Sequence, residues 1–145
     1  MIDGVTNAGA VPVLERLMQF ASLRHGFIAE NAANLTTPNY RPRDLSVEGF
    51  QAALRDAVDA RRAERGGRAA GTLRPADTDE LTFHDGGIEA RPSVLGQNIL
   101  FHDGNDRDTE KTMQMLAENL ITLRLGVEMF RRNFDLMNTA IRERL

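Results

Sequence analysis

Residues 109–145 read TEKTMQMLAENLITLRLGVEMFRRNFDLMNTAIRERL. Apolar side chains fall at Met113, Leu116, Leu120, Leu123, Val127, Phe130, Phe134, Met137 and Ile141, in steps that alternate three and four. That is the spacing of a heptad seam. No proline interrupts the run, and its single glycine, Gly126, weakens a helix by about 1 kcal/mol against alanine. The pattern predicts a helix over 108–144, roughly 50 Å long. A second flank of Ile121, Leu125, Met129 and Leu136 widens the apolar stripe and points to more than one neighbouring helix. Burying nine seam residues yields about 15–25 kcal/mol. Ordering the backbone costs about 1–2 kcal/mol per residue, so a helix of this length requires a partner surface.

Immediately upstream, Asp103, Asn105 and their neighbours begin like a calcium-binding loop. Arg107 then stands where a ligand belongs, Asp108 where glycine is required, and no glutamate closes the loop. Asp106 or Asp108 instead fits the helix N-cap, and Glu110 complements the positive end of the helix. Residues 66–107 read as loop-rich with a small, irregular β element. Leu81-Thr82-Phe83 and Ile99-Leu100-Phe101 are strand-like, and Asp85-Gly86-Gly87 and Pro92 split them. The Gly/Ala/Arg-rich part, 66–76, offers almost nothing to bury and reads as a flexible loop.

At the other end, 1–10 is Gly/Asn/Asp-rich and reads as mobile, with neither the basic nor the apolar segment of a secretory signal. From Pro12 the positions Val13, Leu14, Leu17, Phe20, Ala21, Leu23, Phe27, Ile28 and Leu35 predict an amphipathic helix over 12–36, ending before Pro38. Thr37-Pro38-Asn39-Tyr40 is a type II turn signal, with Pro at the second position and Asn at the left-handed third. Ser46 then caps a short helix over 46–65 that Gly66-Gly67 stops.

The 145 residues carry a net charge of -3, and every basic residue except Lys111 is arginine. Nothing in that balance suggests nucleic acid. The arginines between Arg61 and Arg74 lack interleaved aromatics and are offset by Asp77, Asp79 and Glu80. The absence of cysteine excludes disulfides, thiolate metal sites and cysteine nucleophiles. His25, His84 and His102 share no metal-ligand spacing, and no serine sits in a nucleophile elbow. No phosphate-binding glycine loop appears. The expectation is a non-enzyme without cofactor or metal, and no apolar run is long enough to insert into a membrane.

The whole reads as one mainly α, elongated subunit. Its N- and C-terminal helices pair as an antiparallel, coiled-coil-like hairpin around a short middle helix and a loop/small-β insertion. In such a pair the longer helix overhangs by roughly 15 Å, leaving Phe134, Met137 and Ile141 without intramolecular cover. Exposed stripes of that kind mark assembly surfaces.

Arg24, Asn31-Ala32-Ala33-Asn34 and Thr37-Pro38-Asn39-Tyr40 resemble the N-terminal motif of bacterial flagellar rod proteins. Asp103 to Asp108, followed by Met115-Leu116-Ala117-Glu118-Asn119, resembles the proximal rod subunit of the FlgB type. The FlgC type would carry a longer insertion after the first Asn-Ala-Asn. Departures are Ala32, Thr36 and Asn39, where the family often has Ile, Asp and Gly, and a missing aromatic after Asn119. The resemblance implies a structural subunit of the basal-body proximal rod that transmits torque. It implies export without a cleaved signal through the flagellar type III apparatus, and placement in the rod on the periplasmic side. Implied partners are other rod subunits and the FliE-type adaptor to the membrane ring. By the same resemblance, the stripe with Leu14, Leu17, Phe20 and Ile28 and the seam from Met113 to Ile141 carry assembly. Arg24, Asn31, Asn34, Thr37, Pro38 and Tyr40 would fix the helix exit and turn. The competing class is a soluble helical adaptor that binds one partner helix through the same seam.

Overall fold

The computed structural model describes residues 9–64, 71–95 and 108–142. Three helices, α1 (Val11–Ala33), α2 (Val47–Glu64) and α3 (Thr109–Arg142), account for most of them. Four short strands complete the described chain: β1 (Arg43–Asp44), β2 (Leu81–His84), β3 (Gly87–Ala90) and β4 (Ser93–Val94). β2 and β3 form an antiparallel hairpin, and β1 pairs antiparallel with β4. The fold class read from the sequence is the one observed. Ile99–Phe101, Asp106 and most of the N-terminal ten residues lie outside the described residues.

Each helix begins and ends for a local reason. At α1, Pro12 occupies the first turn, where its missing N–H costs nothing. The helix stops at Ala33, short of the expected residue 36. Asn34 donates its Nδ2 to the Glu30 carbonyl and accepts from Thr37 at its own carbonyl and Oδ1, turning the chain early. Ser46 Oγ accepts the Gly49 N–H at the start of α2, while Glu80 reaches across from the β region to accept the Ser46 N–H. Asp108 caps α3, its Oδ1 accepting the Lys111 N–H at 2.8 Å.

α1 and α3 pack antiparallel. Asn119 Nδ2 donates to the Ala21 carbonyl at 2.8 Å, and a Cβ on Gly126 would sit 3.1 Å from Met18 Cγ. Met115 and Thr112 meet the Ile28–Asn31 end of α1. Asn119 and Gly126 are the buried residues of α3, so the innermost line of the seam is polar and small rather than apolar. Leu116, Leu120, Leu123, Val127 and Phe130 flank it, partly buried. Met113 does not belong to it: it is 50% exposed. A strict 3.5-residue repeat drifts around a straight helix by about 20° per heptad. An apolar count also passes over the asparagine and glycine that make the contact.

The main core lies on the other side of α1. Phe20, Leu45, Phe50 and Leu81 form it, with the Phe20 and Phe50 rings stacked at 4.1 Å. Leu17, Leu23 and Phe27 of α1 and Phe83 and Ile88 of the hairpin pack around it. Arg16 ties the hairpin down by donating to the Gly87 and His84 carbonyls. Leu14, Phe20 and Ile28, expected on an assembly face, are buried inside the chain. The stretch 71–76 is not the unpacked loop that its composition predicts. Leu73 is 5% exposed and Pro75 is buried, because the segment runs back alongside Ala57, Ala60 and Arg61 of α2.

Gly126→Leu should wedge the two long helices apart and cost about 1–3 kcal/mol. Urea unfolding followed by circular dichroism measures it, and an unchanged midpoint would contradict the close approach of α1 and α3 at this glycine.

Candidate assembly site

This architecture produces two features: a polar clamp at the end of α1, and an uncovered face along α3. The clamp begins with Arg24. Its Nε and Nη2 donate to both carboxylate oxygens of Asp44, at 2.9 Å to Oδ1 and 2.6 Å to Oδ2, and both side chains are about nine-tenths buried. A paired, planar contact of this kind fixes direction as well as distance. Asn31 holds the next residue back. Its Nδ2 donates to the Arg43 carbonyl at 2.7 Å, and its Oδ1 accepts from the Arg43 N–H and the Tyr40 hydroxyl. One amide thus pairs with both backbone groups of a β1 residue, as a neighbouring strand would. Arg43 also forms an exposed ion pair with Glu30 at 2.7 Å.

Between Asn34 and Tyr40 the turn is as the sequence implies. Tyr40 N–H donates to the Thr37 carbonyl, and Asn39 takes φ 61°, the left-handed conformation of a type II third position. Pro38 is exposed and shapes the turn. Burial, with the Glu30 carboxylate second, raises the Tyr40 pKa above its ordinary 10.0. The motif residues therefore converge on one structural task. Asp44, the buried partner of Arg24, is not legible as such, since nothing marks it in sequence beyond its type.

The uncovered face lies on α3. Ile121, Leu125, Met129 and Leu136 are 67%, 52%, 45% and 70% exposed. The Asn119–Ala21 and Gly126–Met18 contacts set the register, and they bring Val11 level with residues near Asn133. The last nine residues of α3, roughly 14 Å, project past the end of α1. Phe134 and Ile141 on this overhang are exposed, and Phe134 rests against Phe130 of its own helix at 4.8 Å. Large apolar side chains grouped on one helix face mark a binding surface rather than a solvated one. Among the described residues, no helix is long and apolar enough to cross a membrane.

Asp44→Ala strands a buried guanidinium and should cost about 3–5 kcal/mol, whereas Arg24→Met with Asp44→Leu should recover much of the loss. Chemical denaturation of the two variants gives the comparison, and equal losses would overturn it. Tyr40 offers a second check, because the chain has one tyrosine and no tryptophan. Its raised folded-state pKa means its contribution is intact below pH 10.0 and is lost as pH rises through the folded value. Near-UV titration should place the native tyrosinate midpoint above that of the urea-unfolded chain, and Glu30→Gln should narrow the gap without closing it.

No protein-family model matches the chain. Two curated relatives do, along nearly the full length. It is 28% identical over 136 residues to the flagellar basal body rod protein FlgB of Borrelia hermsii, covering 92% of this chain and 96% of that protein. It is 26% identical over 136 residues to FlgB of Bacillus subtilis, covering 92% and 94%. Over most of its length, then, the chain is similar to flagellar basal body rod proteins of the FlgB type.

Proposed function

We propose that the chain is a non-catalytic building block of the proximal rod that completes the burial of its long C-terminal helix only against neighbouring subunits. The observation that carries this is the exposed apolar line Ile121, Leu125, Met129 and Leu136, together with Phe134 and Ile141, which lie on the α1-facing side of the helix but beyond the end of α1. A helix built to be covered by its own chain would place charge at those positions. The buried part of α1, with Leu14, Phe20 and Ile28, makes the rigid body that presents α3. In this reading the residues that meet neighbours are on α3. Those neighbours are other rod subunits and, at the membrane-proximal end, the FliE-type adaptor. The subunit reaches the periplasmic side through the flagellar type III apparatus and carries torque once stacked.

Replacing the resident rod gene with one carrying Leu136→Asp and Ile141→Asp should abolish motility and rod completion, with circular dichroism of the purified chain unchanged. Swimming assays and electron microscopy of isolated basal bodies read the result. Normal basal bodies would remove the exposed apolar surfaces of α3 from assembly. Failure of the unsubstituted chain to enter a rod would remove the rod reading altogether.

A further inference from the structure

The exposed line on α3 is charged at its two ends in opposite senses. Glu118 precedes Ile121 by three residues, and Arg132 follows Met129 by three; both are exposed. Seen down the helix at 100° per residue, Gln114, Glu118, Ile121, Leu125, Met129, Arg132 and Leu136 share one side, centred on Leu125. We propose that the free chain covers this side with a second copy of itself, as an antiparallel pair of α3 helices about a twofold axis at Leu125.

In that arrangement Leu125 meets its own counterpart, Ile121 meets Met129, and Glu118 meets Arg132, each unlike contact occurring twice. Symmetry makes the patch self-complementary, as a twofold interface demands. A parallel pair would instead set Glu118 against Glu118, Glu128 against Glu128 and Arg132 against Arg132, and like charges face to face disfavour it. Gln114 Nε2 already donates to Glu118 Oε1 at 2.9 Å, so the carboxylate is held on this side of the helix.

Space permits the arrangement as well. Beside Glu118 and Thr122 opens a cleft of about 490 Å³, walled by Val47, Glu48, Ser93 and Leu95. The antiparallel register sets Arg132 and Glu128 of the second copy opposite Glu118 and Thr122, at the edge of this cleft. The pairing concerns the free chain and holds or fails independently of the rod role.

The chain has no cysteine, so single introduced thiols report orientation cleanly. Oxidation of an equimolar mixture of Ile121→Cys and Met129→Cys should give mainly the mixed disulfide, with little self-linked product from either alone. Sedimentation equilibrium should show a discrete dimer of the unsubstituted chain. Arg132→Glu should weaken it roughly tenfold or more, and Glu118→Arg with Arg132→Glu should restore it. A strict monomer, predominant self-linking of the Ile121→Cys variant, open-ended association or an unrescued double variant would each overturn the proposal. A monomer that still builds rods would sink this inference and leave the rod reading standing.

Discussion

Arg24 and Asp44 meet where the chain, having left the first helix, must come back along it. Two charges held in a poorly hydrated place attract strongly only when each finds its partner in the right geometry, and the double hydrogen bond supplies that. With Asp44 fixed, Leu45 next to it is committed to the core, and Phe50 is brought over Phe20 at the start of the second helix. Asn31 makes the same commitment for Arg43 through backbone hydrogen bonds. Remove this clamp and the turn after α1 still forms locally, but nothing aims the chain beyond it.

The first helix therefore works on two sides. One side receives the aromatic core built with α2 and the hairpin; the other receives α3. The C-terminal helix has no such second neighbour among the described residues. It touches α1 along one line, and its remaining apolar residues face outward. The asymmetry between a helix satisfied on two sides and one satisfied on one side is the physical basis for regarding this molecule as a component rather than a finished object.

Much of this is readable in the residues. Helix type, number and order come from periodicity and punctuation, and the Thr37–Tyr40 turn comes from the conformations Pro and Asn accept. The second apolar flank of α3, marked by its spacing, is the one found exposed. The features that escape such a reading depend on distant contacts. Met113 matches a repeat yet faces outward, because the contact line runs through Asn119 and Gly126, residue types that apolar counting ignores. Leu14, Phe20 and Ile28 belong to the interior because the hairpin and α2 fold over α1, which the sequence of α1 alone does not reveal. Asp44 looks like any loop aspartate until Arg24 arrives from twenty residues away. Leu73 is a lone apolar residue whose burial comes from the path of the chain rather than from its neighbours.

Asn119 and Gly126 grip the first helix at two points seven residues apart, about 10 Å along the axis. One grip is a hydrogen bond to a backbone carbonyl; the other is a close steric fit. A rod held at one point pivots, and a rod held at two becomes a cantilever. The projecting end of α3 thus has a stiff root, and a sideways load on its tip is delivered to the body of the molecule as a bending moment instead of being lost in sliding between helices.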